Sequence, residues 1–267
     1  MRAAHTRLDR NPLIEDPWGE RLVPDAVRAM FSDESLLQSR AYANVVIRTR
    51  YAEDALQAAV AQGIRQYVLI GAGFDSFALR RPAFAAELQI FEIDYPATQR
   101  LKLKRIAECG VTLPESVHFI AADLAEESVA AALSRSSYRK DQLTFFSWLG
   151  VTMYLTREAN LATLQSIASC SPPGSELVFT YFDARVFQLA SAAFQEMKDR
   201  VASIGEPFLS GFDPGALAAD LARCGLSLIE DLEGSEVQAR YQRVGDMSLG
   251  QSNFSHIALA SVRQGNR

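Results

Sequence analysis

A strand that runs straight into glycines limits what this chain can build. Tyr67-Val68-Leu69-Ile70 is continuously apolar and passes into Gly71-Ala72-Gly73-Phe74-Asp75. The next apolar run closes on acids, Phe91-Glu92-Ile93-Asp94, and Asp94 lies 21 residues beyond Gly73. A strand, a Gly-x-Gly turn, a helix and a second strand ending in an acid make half of a nucleotide-binding α/β sheet. The glycines let backbone approach a ligand, and the acid can accept hydrogen bonds from ribose hydroxyls.

The rest of the chain carries the same rhythm onward. Apolar stretches at 67–71, 89–93, 117–121, 143–149 and 176–182 alternate with segments rich in Ala, Leu, Glu and Arg at 76–86, 96–109, 125–134 and 157–170. Such alternation predicts a mostly parallel sheet covered on both faces, and right-handed crossovers make it doubly wound. Ligands of such sheets bind at the carboxyl ends of the strands. Residues 1–62 read as a helical N-terminal cap; apolar residues recur at helical spacing from Ser35 to Val60, and Gly63 stops that helix. A long helix is expected over 184–204, followed by the turn signals Gly205-Glu206-Pro207-Phe208 and Gly211-Phe212-Asp213-Pro214. The stretch 184–211 has no place in a βαβ repeat and reads as a lid-like insertion over the ligand edge. A helix at 215–224 and strands at 226–231 and 254–262 complete one expected domain, 1–267.

Composition narrows the ligand. A net charge of −5 and a pI near 5.4 point away from a nucleic-acid partner. The longest basic cluster, Arg100 to Arg105, has the spacing of a solvated helix face. No apolar run approaches the roughly 18 residues of a membrane span. The N-terminal stretch has no apolar core of a signal peptide. Cys109, Cys170 and Cys224 are far apart, without zinc spacing, and suit a reducing cytoplasm. His5, His118 and His256 are scattered and suggest structural roles; no metal site is expected.

The glycine turn is a poor seat for a pyrophosphate. Ser76 stands where a dinucleotide fingerprint has its third glycine, and Asp75 puts a carboxylate at the start of the following helix. Asp75 either caps that helix or touches a ligand, and both readings disfavour NAD. S-adenosylmethionine fits the charge layout better. It has adenine and ribose without phosphate, and its methionine end carries a carboxylate, an ammonium and a cationic sulfur. Asp94 is placed to hold the ribose, to cap the helix beginning at Pro96, or both. Asp123, after the third strand, either accepts from the adenine amino group with Leu124 beside the ring, or caps the next helix. Arg48 and Arg50, on the helix before the first strand, are either exposed helix arginines or the partner of the cofactor carboxylate.

Taken in order, these residues resemble the leucine carboxyl methyltransferase family. The resemblance is carried by Arg48-Thr49-Arg50-Tyr51, by Gly63 to Ser76, and by Phe91-Glu92-Ile93-Asp94-Tyr95-Pro96. Ala122-Asp123-Leu124, Gly150-Val151-Thr152-Met153-Tyr154-Leu155-Thr156, Gly205-Glu206-Pro207-Phe208 and the opening Asn11 to Pro17 continue it over nearly the whole chain. It is most similar to the bacterial branch of S-adenosylmethionine-dependent O-methyltransferases, some of them in polyketide pathways. The resemblance implies a class I methyltransferase fold, with six parallel strands and an antiparallel seventh. It implies that Gly71, Ala72 and Gly73 pass the methionine part, with Asp75 beside them. It further implies Asp94 at the ribose, Asp123 and Leu124 at the adenine, and Arg48, or Arg50, at the carboxylate. The family's eukaryotic members carry a glutamate where this chain has Leu149. Leucine cannot pair with the cofactor ammonium, so backbone carbonyls at Ile70-Gly71 or Trp148 are expected to serve. This departure points away from a phosphatase C-terminus and toward a small-molecule acceptor.

Methyl transfer from a sulfonium asks a protein mainly to position and desolvate. Tyr154, Tyr181 and Asp183, at the ends of the fourth and fifth strands, are the acceptor-site candidates. The expected reaction is O-methylation of a carboxylate or hydroxyl. Two rivals remain at this level: a nicotinamide-dependent oxidoreductase, which shares the sheet and Asp94 but lacks support from a Tyr-x-x-x-Lys pair, and a cofactor-binding protein without catalysis.

Overall fold

The computed structural model describes residues 1–37, 39–188, 192–203, 205–241 and 255–264. Among these, helices α1 (Arg2–Leu8), α2 (Trp18–Arg21), α3 (Asp25–Arg28), α4 (Asp33–Leu37) and α5 (Arg40–Ala61) precede the first strand. Strands and helices then alternate: β1 (Gln66–Ile70), α6 (Phe77–Arg80), β2 (Gln89–Asp94), α7 (Pro96–Glu108), β3 (Val117–Ala121), α8 (Val129–Ser134), β4 (Thr144–Trp148), α9 (Arg157–Ser169) and β5 (Glu176–Phe182). The chain closes with α10 (Ala192–Ser203), α11 (Pro214–Arg223), β6 (Leu226–Glu233), α12 (Gly234–Tyr241) and β7 (Ser255–Val262).

The strands form one sheet in the order β3-β2-β1-β4-β5-β7-β6. Pairing is parallel from β3 through β5, and β7 runs antiparallel to both β5 and β6. The strand order reverses between β1 and β4, the switch point where such sheets bind ligands. Both central strands are buried along their whole length, as parallel strands covered on two faces must be.

Period-two alternation sorts the side chains into two cores. Tyr67 and Leu69 face a cluster with Tyr42, Val46 and Leu56 of α5 and Val237 of α12. Val68 and Ile70 face the opposite cluster, with Leu133, Leu164, Ile167, Leu217 and Leu221 of α8, α9 and α11. A third, smaller cluster joins Met153, Phe182, Phe194 and Phe208, tying α10 and the 205–211 stretch to the ends of β4 and β5.

Local chemistry explains where helices start and stop. Ser39, Ser128, Thr156 and Asp213 each cap a helix by accepting a backbone N–H, and Pro96 and Pro214 occupy first helical turns. The helix expected over 76–86 is cut to one turn because Pro82 follows Arg81, which adopts a left-handed φ of 39°; a separate 3-10 turn covers Ala83–Ala85. The helix expected from residue 125 begins at Val129, where Ser128 supplies the cap. Of the long helix expected over 184–204, Ala184–Phe187 is a 3-10 turn and Ala192–Ser203 is α10, while residues 189–191 and 204 lie outside the described residues. The Asp183 side chain accepts from Arg185 N–H and organises that tight turn. The helix α12 had no sequence expectation, and residue 254 of the last expected strand lies outside the described residues.

Candidate functional site

The carboxyl ends of β1, β2 and β4 build the site. Gly71 and Gly73 follow β1 with φ of 66° and 50°, a region that penalises any side chain. A Cβ on Gly71 would stand 2.6 Å from Cγ2 of Val151, so glycine is also what lets the turn lie against the segment after β4. The turn is fastened to β2: the N–H groups of Gly71 and Ala72 donate to the carbonyl of Ile93 at 2.9 and 3.1 Å. Gly73 N–H donates to Oδ2 of Asp94, and Tyr95 N–H donates to Oδ1 at 2.6 Å. Each carboxylate oxygen keeps a lone pair for a ribose hydroxyl. Burial raises the Asp94 pKa against the pull of those two N–H groups and Lys102. Beneath it Glu92 and Lys102 form a buried ion pair, and burial raises the Glu92 pKa too.

Asp75 ties the glycine turn to the start of α6. Its Oδ1 accepts from Phe77 N–H at 2.7 Å, and Arg2 stands 3.9 Å from its Oδ2. Arg2 also donates to the carbonyl of Phe74 at 3.2 Å and to Asp16 at 2.7 Å, so the N-terminal helix is latched to the glycine turn. Burial works to raise the Asp16 pKa, and Arg2 and Ser76 outweigh it, leaving Asp16 below the ordinary carboxylate range. Sequence reading gave no sign of this latch, because it joins residues far apart in the chain.

Asp123 accepts from Ala125 N–H at 2.9 Å through Oδ1, holding the turn after β3, and Leu124 packs against the second core. Its other oxygen has no hydrogen-bond partner among the described residues. Trp148, at the end of β4, is fully buried against Phe179, and its indole N–H has no hydrogen-bond partner among the described residues. A buried donor without an acceptor costs about 1–3 kcal/mol.

The two arginines separate. Arg50 is spent on Asp54 at 2.9 Å and on the carbonyl of Leu13 at 3.0 Å. Arg48 donates only a long bond of 3.3 Å to Asn44 Oδ1, and no carboxylate pairs with it among the described residues. Its guanidinium lies on Gly150, where a Cβ would come within 2.6 Å of Nη1. Gly150 needs its φ of 72° for that approach, and its N–H donates to Thr180 Oγ1 at 2.7 Å. Burial, then Arg2, lowers the Arg48 pKa to about 10, which still leaves it charged at neutral pH. The guanidinium is a partly buried cation beside the Gly71 turn, felt by Asp75 at a distance but paired with no anion among the described residues.

The acceptor candidates also separate. Tyr154 packs on Phe208 of the third cluster, ring centroids 5.5 Å apart, within electrostatic reach of Arg48. Burial, then Glu206, raises its pKa. Tyr181 is fully buried and donates to Asp231 at 2.6 Å, its ring stacked on His256. Asp183 is spent on Arg185, which outweighs burial and lowers its pKa. Among the described residues no group of His, Cys, Asp and Glu could hold a metal.

The doubly wound sheet with one reversed strand, entered by a glycine turn and flanked by acids after β2 and β3, defines the class I methyltransferase fold. The chain belongs to the leucine carboxyl methyltransferase family, whose model matches residues 1–168. YktD of Bacillus subtilis, provisionally named an S-adenosyl-L-methionine-dependent methyltransferase, is 35% identical over 71% of this chain and 63% of its own length. The chain thus spans less than two thirds of that relative. A protein of Mycolicibacterium smegmatis with the same provisional name is 30% identical over 79% of this chain and 75% of its own. The crystal structure of a DUF574-family protein of Streptomyces avermitilis superposes with a TM-score of 0.59, covering 86% of this chain and 90% of that one at 16% identity. That likeness is one of fold. No helix among the described residues is long and apolar enough to cross a membrane.

Proposed function

We propose that this chain binds S-adenosylmethionine and methylates an oxygen of a small molecule in the cytoplasm. The observation that carries the reading is Arg48: a partly buried guanidinium with no carboxylate partner among the described residues, laid on Gly150 beside the Gly71 turn. It fits the carboxylate of a methionine moiety. Asp94 would hold the ribose, and Asp123 with Leu124 the adenine. Gly71-Ala72-Gly73 leave backbone room for the methionine part. Leu149 supplies no charge for the ammonium, which falls to backbone carbonyls around Ile70-Gly71 or Trp148. The names of the two relatives support the same cofactor.

Bound here, S-adenosylmethionine supplies an activated methyl carbon. The chain positions and dries the site. Positioning of reactants can lower a barrier by up to about 7–11 kcal/mol. Tyr154, with its raised pKa, stays protonated at neutral pH and acts as a hydrogen-bond donor rather than a base. Tyr181 and Asp183 are committed to Asp231 and Arg185, so neither offers a free base. That scarcity favours an acceptor ionised on its own, a carboxylate ahead of a hydroxyl. We read the described part of 184–211, which leaves out residues 189–191 and 204, as the lid over this edge, anchored by Phe194 and Phe208 on Phe182.

Calorimetry with S-adenosylhomocysteine and with NAD tests the cofactor. Binding of the first and silence with the second is expected; the reverse would make the chain an oxidoreductase. Mass spectrometry of the methylated product should place the new methyl on oxygen, and a methyl on nitrogen or carbon alone would refute the reaction class.

A further inference from the structure

The ion pair beneath Asp94 has no part in the reading above. Glu92 and Asp94 are two residues apart on β2, so both side chains leave the same face of the strand. Helix α7 begins at Pro96, directly after that strand, and two of its buried side chains one turn apart bind it to β2. Gln99 donates to the carbonyl of Glu92 at 3.2 Å, and Lys102 donates to Glu92 Oε2. Side chains on a helix tilt toward its N-terminus, which carries the Lys102 stem back along α7 toward Asp94. Glu92 is 0% exposed and Lys102 2%, so water screens neither charge. Glu92 Oε1 has no hydrogen-bond partner among the described residues, and the other neighbour of the Lys102 ammonium is the Phe119 ring, 6.0 Å away. One cation thus stands under two acids, bonded to Glu92 and within electrostatic reach of Asp94. Asp75, at the start of α6, acts on Glu92 as a third acid.

A buried pair of this kind adds little to stability, because the cost of drying two ions offsets their attraction. We propose that Lys102 is a positioning residue for the cofactor ribose: seated by Glu92 under β2, it keeps Asp94 a carboxylate, and Glu92 sets how much of that positive charge Asp94 feels. The inference rests on the cofactor reading above and adds two residues that never touch the ligand. Asp94 is partly buried, and burial favours its protonated form, in which one oxygen becomes a donor and no longer accepts from a ribose hydroxyl. The N–H groups of Gly73 and Tyr95 fix the carboxylate in place, and Lys102 supplies a full positive charge from below. Glu92 and Lys102 then act on Asp94 with opposite signs. Removing the lysine takes away the supporting cation, whereas removing the charge of Glu92 leaves that cation to Asp94 alone.

The test uses the full chain with its aspartate carboxyl carbons labelled for NMR, the Asp94 signal being the one lost in Asp94→Asn. That carboxyl is titrated in the free protein, and calorimetry follows S-adenosylhomocysteine affinity over the same pH range. Lys102→Met should raise the Asp94 midpoint by about one pH unit, the low end of what a nearby opposite charge does. Lys102→Arg should restore it, and Glu92→Gln should lower it. The acid limb of binding should move with the carboxyl, so that below both midpoints Lys102→Met binds about tenfold more weakly than wild type. Glu92→Gln with Lys102→Met leaves no buried charge and serves if Lys102→Met does not fold; its midpoint should lie above that of Glu92→Gln. A pair that only supports the fold would lower melting temperature and affinity alike at every pH. The proposal is overturned if the Asp94 midpoint stays in place in these variants, if Lys102→Met and Glu92→Gln move it in the same direction, or if the binding limb does not follow it. Absence of S-adenosylhomocysteine binding by the wild type would sink the cofactor reading itself. The two failures are distinct, because the carboxyl titration is read on protein without ligand.

Discussion

Arg48→Met isolates the interaction on which the cofactor assignment turns. Methionine keeps an unbranched apolar stem along α5 and removes the charge. In the unliganded protein Arg48 is a partly buried cation whose pKa is pulled down to about 10 by burial and Arg2 against the opposing pull of Tyr154 and Asp75, and among the described residues no carboxylate pairs with it. Removing it therefore relieves a cost, and the melting temperature of the free protein should hold or rise, at about 2–4 °C per kcal/mol for a chain of this size. With cofactor bound the sign reverses. Truncating one partner of a buried, hydrogen-bonded charge pair costs about 2–5 kcal/mol. Because Arg48 keeps some exposure and shares a bond with Asn44, the middle of that range applies: about 3 kcal/mol, on the order of a hundredfold in Kd. Calorimetry against S-adenosylhomocysteine reads the loss, and adenosine, which lacks the carboxylate, is the control whose affinity should not change. Gly150→Ala attacks the same contact from the other side. Its Cβ would enter within 2.6 Å of the guanidinium at a φ of 72°, so it should displace Arg48 and weaken the same ligand. The reasoning is refuted if Arg48→Met binds S-adenosylhomocysteine within about threefold of wild type, roughly 0.7 kcal/mol, or if adenosine weakens equally.

Two further outcomes follow from the site. In the proposed site ribose binding uses Asp94 in its ionised form, and burial raises its pKa, so affinity for S-adenosylhomocysteine should be complete at neutral pH. It should fall as pH drops through a midpoint above the ordinary aspartate value of about 3.9; Asp94→Asn should remove that acid limb and weaken binding by about 1.5–3 kcal/mol, and an unchanged acid limb in the variant would count against the assignment. Tyr181→Phe removes the hydroxyl that donates to Asp231 and should cost about 1 kcal/mol of stability in denaturant melts while leaving the cofactor Kd and the methyl-transfer rate intact; a large fall in that rate without loss of stability would return Tyr181 to the acceptor site.

The sheet was legible because each of its strands is a local signal. The apolar runs of the strands, the glycines after β1 and the acids after β2 and β3 appear in the order of the chain, so strand positions could be read within a residue or two. Helix limits were less legible where one residue decides them. Pro82 truncates α6, and Ser128 rather than Asp123 starts α8. The expected long helix over 184–204 failed because the Asp183–Arg185 turn interrupts it, and helical composition alone does not record such a stop.

Sequence by itself determined the family, the doubly wound sheet and the string Gly71, Gly73, Asp94 and Asp123, because these depend on spacing along the chain. It could not choose between Arg48 and Arg50, two residues apart on one helix. Tertiary structure separates them, since Arg50 meets Asp54 and Leu13 while Arg48 meets Gly150, 102 positions away in sequence, and that separation is what favours Arg48 in the proposed site. It likewise withdrew Tyr181 and Asp183 into bonds with Asp231 and Arg185, and brought Asn44 to Ser255 across a separation of 211 residues. A side chain's role depends on which partners the fold leaves it, and partners that distant leave no periodic trace in a sequence.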